Sequence, residues 1–177
     1  MKRKVILYMS VSLDGYIADK AGKTGWLGGE SEFYQGDYGR SGFLSIVDTV
    51  IMGMDTYKIL KEKYSQKTWP YQDMLTYVIT HRPETDTEEV HFVDSRMSTF
   101  IQKLQQEEGG NIWVYGGADI ANQLIRENLI DEYHLTIMPI ILGSGTRLFG
   151  DGNKEIKLHL IKNTEKNGVI DCLYERV

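Results

Sequence analysis

Short apolar runs alternate with polar, glycine-containing segments along the whole chain, and the apolar runs predict β-strands. Several runs, such as Val50–Met52 and Ile112–Val114, contain no polar residue, which is typical of central strands covered on both faces. The predicted strands are Lys4–Val11, Thr49–Met52, Leu75–Thr80, Val90–Val93, Ile112–Tyr115, Tyr133–Ile141, Ile156–Lys166 and Val169–Arg176.

Helical spacing of apolar residues appears between these strands. The predicted helices are Ser31–Val47, Thr56–Lys63, Ser98–Glu107 with Ser95 as its cap, and Ala118–Asn128. Strands that alternate with helices indicate βαβ units and a mostly parallel sheet. Asn167-Gly168, between two alternating runs, predicts a hairpin. The pattern therefore predicts an α/β sandwich of three layers that ends in an antiparallel hairpin.

Composition narrows the class of protein. The 177 residues suit one domain, residues 1–177, without repeats or low-complexity linkers. A net charge of -5 disfavours nonspecific nucleic-acid binding, and no run approaches the ~20 apolar residues of a membrane span. The single Cys172 and four scattered histidines form no metal-ligand motif. We expect a cytoplasmic protein with no metal, no nucleic-acid partner and no membrane partner.

Two strand-to-helix junctions contain glycine and are the strongest candidates for chemistry. The first runs from Gly53 to Thr56, and the second from Gly116 to Ile120. Free backbone N–H groups at a helix start, beside glycine, favour binding of a phosphate. The alternative is a pair of tight turns without a ligand, in which Asp55 only caps its helix.

Two further segments are placed to meet a ligand at the carboxyl ends of the strands. Thr80-His81-Arg82 follows a strand and could bind a 2′-phosphate, or it could be a solvated basic turn closed by Pro83. The stretch after Ser12–Ala18 is rich in glycine and contains Trp26, which fits either a lid or a floppy surface loop.

In order along the chain, these segments resemble the dihydrofolate reductase superfamily, and most closely the branch related to the reductase domain of the bifunctional riboflavin biosynthesis protein. The resemblance covers nearly the whole chain. It rests on Ser12–Ala18, on Val50–Gly53 with Thr56-Tyr57, on Gly116-Gly117, on Asp131–Tyr133 and on Pro139–Phe149.

The resemblance implies an NADPH-dependent reductase that transfers hydride to a C=N or C=O carbon of a small heterocycle. That substrate would be pterin-like or ribosylaminopyrimidine-like, as in 5-amino-6-(5-phosphoribosylamino)uracil reductase, and the protein would be a homodimer. The implied cofactor contacts are Ala18 at the nicotinamide, Gly53, Met54, Thr56, Thr80, His81 and Arg82 around the adenosine, and Gly116, Gly117, Ala118, Asp119 and Ile120 at the pyrophosphate. The implied substrate contacts are Asp14, Trp26 and Thr136.

The chain also departs from the family pattern. Relatives often have Gly-Arg-x-Thr where this chain has Gly53–Thr56 with Met54, and an acidic residue where it has Tyr115. A carboxylate with a raised pKa could protonate the substrate, and Asp37, or else Glu32, is expected in that catalytic role. Two alternatives remain open: a nucleotide-binding sensor without turnover, and a dimeric scaffold with empty clefts.

Overall fold

A computed structural model describes residues 2–82, 84–94 and 96–177. Ten strands and four helices follow one another along these residues. The strands are β1 (Val5–Ser12), β2 (Tyr16–Ala18), β3 (Val47–Gly53), β4 (Leu75–Ile79), β5 (Val90–Val93), β6 (Asn111–Gly116), β7 (Glu132–Met138), β8 (Thr146–Arg147), β9 (Leu158–Lys166) and β10 (Val169–Arg176). The helices are α1 (Arg40–Leu44), α2 (Met54–Lys63), α3 (Met97–Leu104) and α4 (Ala118–Arg126).

One 8-stranded sheet, in the order β5-β4-β3-β6-β1-β7-β10-β9, forms the centre of the fold. The first six strands in that order, from β5 to β7, are parallel to one another, whereas β10 is antiparallel to both β7 and β9. The short strands β2 and β8 form a separate two-stranded sheet. The predicted parallel sheet with a terminal antiparallel hairpin is confirmed.

Helices cover both faces of the sheet because its central strands are apolar on both sides. Leu7 of β1 packs in one buried cluster with Leu124 of α4 and with residues of α3. Its neighbour Ile6 faces the other way and packs with Phe43 of α1 and Leu60 of α2. Successive strand side chains point to opposite faces, so one continuous apolar run supplies both layers.

The predicted helix Ser31–Val47 is wrong over most of its length, because only Arg40–Leu44 is helical. The backbone before it turns through the left-handed region at Tyr38, with φ 54°, and at Gly39, with φ 87°. A right-handed helix cannot pass through two such residues. The segment before α1 is therefore an irregular loop.

Smaller differences have local causes. The strand predicted as Tyr133–Ile141 ends at Met138, since Pro139 has no N–H to donate to a neighbouring strand. The two strands β2 and β8 are too short to show a pattern of their own. Ser95, the expected cap of α3, and Pro83 lie outside the described residues.

The described residues contain neither a membrane-spanning helix nor a group of metal-binding side chains. None of their helices is long and apolar enough to cross a membrane. In the same residues, no three His, Cys, Asp or Glu side chains are grouped closely enough to hold a metal ion.

Candidate functional site

The carboxyl ends of the parallel strands meet at one edge of the sheet, where α/β proteins bind their ligands. Gly53, which ends β3, is in register with Ile79, which ends β4. Met52 is in register with Gly116, the last residue of β6. The predicted phosphate-binding segments therefore start side by side on three neighbouring strands.

The two glycine junctions touch each other. A Cβ added at Gly53 would lie 3.1 Å from Cγ1 of Ile120, and one added at Gly117 would lie 3.4 Å from Oγ1 of Thr56. Gly53 and Gly117 are the N-cap residues of α2 and α4, and neither helix has a side-chain cap hydrogen bond. Two helix starts thus meet with no side chain capping their N–H groups, an arrangement that favours an anion between them.

The remaining residues predicted at these junctions lie in the first turns of the two helices. Met54 begins α2 and Ala118 begins α4, and each helix has an acidic residue in its first turn, Asp55 and Asp119. Both carboxylates are exposed, so they can point away from the junction into solvent. Each negative charge interacts favourably with the positive N-terminal end of its helix dipole.

The segment after β4 presents an arginine next to these junctions. The Oγ1 atom of buried Thr80 accepts a hydrogen bond from the backbone N–H of Arg82 at 3.1 Å, which shapes the turn. His81 places Nδ1 3.3 Å from Oδ1 of Asp94. Arg82 is exposed and, among the residues that the structure describes, forms no ion pair. Its guanidinium is available to an anionic ligand.

Asp14 fastens two loops of the site together. Its Oδ1 accepts hydrogen bonds from the Ser12 hydroxyl at 2.6 Å and from the Leu142 N–H at 3.1 Å, and its Oδ2 accepts one from the Gly143 N–H at 2.7 Å. These donors, chiefly Ser12, lower the pKa of Asp14 to about 2. The predicted substrate contact Asp14 is therefore an ionised, loop-organising carboxylate.

Strands β2 and β8 pair with each other, and the loop that contains Trp26 follows β2. Ala18 pairs with Thr146, and a Cβ added at Gly145 would lie 2.0 Å from the carbonyl oxygen of Ala18. The indole Nε1 of half-buried Trp26 donates to the carbonyl of Lys23 at 3.2 Å. The loop that contains Trp26 is thus folded on itself by a local hydrogen bond.

The raised pKa expected at Asp37 is wrong. Its Oδ2 accepts hydrogen bonds from the Ser41 hydroxyl and, at 2.8 Å, from the Ser41 N–H, and its Oδ1 accepts one from the Gly39 N–H at 3.0 Å. The Ser41 hydroxyl is the largest cause that lowers the pKa of Asp37 to about 2. These donors favour the ionised form of the exposed Asp37 carboxylate, which caps the start of α1. Glu32 is also exposed.

A carboxylate that we did not predict, Asp171, lies on the floor of the site beside Thr136. The Thr136 hydroxyl donates to Oδ1 of Asp171 at 3.1 Å, and Nε2 of His134 lies 3.0 Å from Oδ1 and 2.8 Å from Oδ2. Thr136 is opposite Asp171 on β10 and opposite Ser10 on β1. Both ring and carboxylate are largely buried, at 16% and 18% side-chain exposure.

The sequence around Asp171 contains a pattern that could have drawn attention to this residue. The hairpin predicted at Asn167-Gly168 leads into the run Val169-Ile170-Asp171-Cys172, where one acidic residue interrupts apolar neighbours. A charged residue inside a half-buried strand needs a partner on a neighbouring element. His134 and Thr136, on one face of β7, are that partner set.

A family model and a curated relative match almost the whole chain. The model of the RibD C-terminal domain matches residues 3–169. The uncharacterized protein YwjB of Bacillus subtilis (strain 168) is 43% identical over 170 residues, which cover 95% of this chain and 94% of YwjB.

Solved structures have the same fold. A putative riboflavin biosynthesis protein from Shewanella sp. PV-4 has a TM-score of 0.86 and 28% identity, over 100% of this chain and 99% of that one. Dihydrofolate reductase from Enterococcus faecalis, complexed with NADP(H), has a TM-score of 0.64 and 14% identity, over 99% of both chains. Because the family model spans nearly all residues and YwjB is so similar, this chain belongs to the RibD C-terminal domain family.

Proposed function

We propose that this protein is an NADPH-dependent reductase that delivers hydride to a C=N or C=O carbon of a small heterocycle. The observation that carries the proposal is the contact between the two uncapped helix starts at Gly53 and Gly117. Membership of the RibD C-terminal domain family supports a reductase of the riboflavin-pathway type. The E. faecalis reductase, which has the same fold, binds NADP(H).

The glycine junctions fit the diphosphate of a dinucleotide. Backbone N–H groups of α2 and α4 supply donors from two sides, and the Thr56 hydroxyl adds a second kind of donor. Gly53 and Gly117 leave no Cβ between ligand and backbone, so a phosphate can approach closely. Ala118, Asp119 and Ile120 would contact the same group from the first turn of α4.

The turn after β4 would hold the adenosine end. Arg82 would pair with the 2′-phosphate that distinguishes NADPH from NADH, since a guanidinium binds phosphate through charge-assisted hydrogen bonds. Thr80 sets the direction of the turn, and Met54 would pack beside the adenosine. His81 would add a second nitrogen donor when it is protonated.

The opposite end of the groove would hold the reacting groups. When bound, the nicotinamide supplies the hydride. Ala18 would contact that ring, while the loops fastened by Asp14 and the loop of Trp26 would exclude water from the substrate. Thr136 would meet the substrate at the floor. The substrate would be pterin-like or ribosylaminopyrimidine-like, in line with the RibD C-terminal domain family.

Titration of the purified protein with NADPH and, separately, NADH tests the proposal through Trp fluorescence. We expect micromolar NADPH binding, weakened about tenfold or more by Arg82→Ala, with little change for NADH. Arg126→Ala, at the far end of α4, is the matched control and should leave both affinities unchanged. If neither nucleotide binds the wild-type protein, the reductase proposal is wrong.

A further inference from the structure

We propose that Asp171 is the substrate-binding acid of this cleft and that it recognises a planar nitrogen heterocycle through N–H donors on one edge of the ring. Thr136 and His134 are its positioning residues. The assignment rests on the proposed function for the identity of the cleft. The assignment gives the role of the acidic group to a residue of β10 and not to Asp37, whose carboxylate accepts hydrogen bonds from Ser41 at the start of α1.

The partners of Asp171 hold its carboxylate in one orientation. The Thr136 hydroxyl donates to Oδ1, and the Nε2 atom of His134 reaches both oxygens, at 3.0 and 2.8 Å. An ionised carboxylate only accepts, so Nε2 of His134 must be the protonated ring nitrogen. An ionised carboxylate offers about four lone-pair sites, and these two donors leave sites on Oδ2 for a ligand.

Part of the carboxylate stays accessible, since 18% of the Asp171 side chain is exposed. The start of α1 packs beside it, and a Cβ added at Gly39 would lie in van der Waals contact with Oδ2, at 4.0 Å. Because residue 39 is glycine, no side chain stands at that contact. Other charged or titratable groups near this floor are Tyr8 of β1, Arg40 of α1 and Asp37, whose carboxylate is turned to the Ser41 and Gly39 amides.

Aromatic rings beside the pair favour a flat ligand. Tyr8 lies with its ring centroid 4.7 Å from that of His134, and Phe43 lies 4.1 Å from Tyr8. These rings keep bulk water from one side of the His134–Asp171 contact. A charge-assisted hydrogen bond made to Oδ2 in such surroundings is stronger than one made in open solvent.

Two small ring compounds of equal size test the assignment without knowledge of the natural substrate. The probe 2,4-diaminopyrimidine offers paired N–H donors, and uracil offers carbonyl oxygens in the same places. Calorimetric titrations are run with and without NADP⁺. We expect wild-type protein to prefer 2,4-diaminopyrimidine and Asp171→Asn to weaken that binding about tenfold or more. Glu165→Gln, an exposed carboxylate of the same hairpin, is the control and should change neither affinity.

The positioning role is tested by conservative variants at Thr136. We expect Thr136→Ser, which keeps the hydroxyl, to retain the preference for 2,4-diaminopyrimidine over uracil, and Thr136→Val to reduce it. His134→Gln should reduce it as well. Urea unfolding of each variant is measured alongside, because a purely structural contact would lower stability and leave the ratio of the two affinities unchanged.

The outcomes separate this proposal from the reductase proposal. If 2,4-diaminopyrimidine does not bind wild-type protein at millimolar concentration, or if Asp37→Asn and not Asp171→Asn abolishes binding, the assignment of Asp171 is overturned. If NADPH binds as expected and Asp171→Asn leaves the probe affinities within about twofold, the assignment of Asp171 is overturned and the reductase proposal stands. If the protein binds no nicotinamide nucleotide but binds the probe in a way that depends on Asp171, the assignment is supported and the reductase proposal is overturned.

Discussion

The Oδ2 atom of Asp14 accepts a hydrogen bond from the backbone N–H of Gly143, with 2.7 Å between oxygen and nitrogen. The contact joins the turn after β1 to the segment after β7, 129 residues further along the chain. The Leu142 N–H donates to the other oxygen of the same carboxylate at 3.1 Å. These two loops flank the proposed substrate, so one ionised side chain fixes their separation.

The Asp14 contact should persist to low pH. The pKa of Asp14 is lowered from 3.8 to about 2, so its stabilisation is fully present above the ordinary value and is lost as the pH falls toward 2. We expect the amide ¹H–¹⁵N resonances of Leu142 and Gly143 to stay nearly fixed from about pH 5 to about pH 3 and to move below that. A transition centred near the ordinary pKa would contradict this, and Asp14→Asn should abolish the low-pH movement.

Gly145 should tolerate no side chain. Its φ is 142°, and an added Cβ would lie 2.0 Å from the carbonyl oxygen of Ala18, a backbone atom that cannot move aside without breaking the β2–β8 pairing. We expect Gly145→Ala to lower the free energy of unfolding by about 2–3 kcal/mol in urea titrations.

The matched control for that substitution is two residues away. Gly143 has φ 72°, and nothing lies within 4 Å of the position of an added Cβ. Gly143→Ala keeps the backbone N–H that donates to Asp14. It should lower the free energy of unfolding only by the cost of placing alanine in the left-handed region, about 1 kcal/mol. Equal losses for the two variants would mean that the clash at Ala18 does not exist.

The sheet could be predicted from sequence because burial on both faces leaves a clear pattern. Val50–Met52 and Ile112–Val114 are apolar without interruption, and each lies at the centre of the sheet. Asn167-Gly168 marked the hairpin, since its turn needs two residues with positive φ, which are 56° and 74° here. The residues within each of these elements determine its structure, so the elements can be predicted without knowledge of the tertiary contacts.

The loop before α1 and the acid of the site could not be predicted in the same way. Tyr38 takes a positive φ although it is not glycine, and its hydroxyl accepts from the Gly29 N–H at 3.1 Å and from Nδ2 of Asn167 at 3.0 Å. The contact with Asn167 joins segments that are 129 residues apart in sequence. The pairing of Asp171 with His134 likewise depends on strand register, which local pattern alone does not set.

Asp48 should matter for stability although it lies outside the cleft. It pairs with the guanidinium of Arg3, which is 4% exposed and also donates to the Thr49 hydroxyl and the Gly110 carbonyl. Asp48→Asn leaves that buried cation without its counter-charge. We expect a loss of about 2 kcal/mol in the free energy of unfolding, measured in urea. Asp73→Asn, an exposed carboxylate on the β3–β4 side, should change it by less than about 0.5 kcal/mol.

The outer strand β9 should be covered by a second copy of this chain. Among the strands that the structure describes, it ends the sheet and pairs with β10 alone, which leaves its other edge open. Leu158, Leu160 and Ile170 project from one face of this hairpin with 39%, 41% and 44% of their surfaces exposed. We expect a dimer in sedimentation equilibrium and a monomer for Leu160→Glu, because a charge cannot be buried unpaired between two copies. Ile59→Glu on α2, where Ile59 is 61% exposed, should stay dimeric; a monomeric wild-type protein would show that the face is simply solvated.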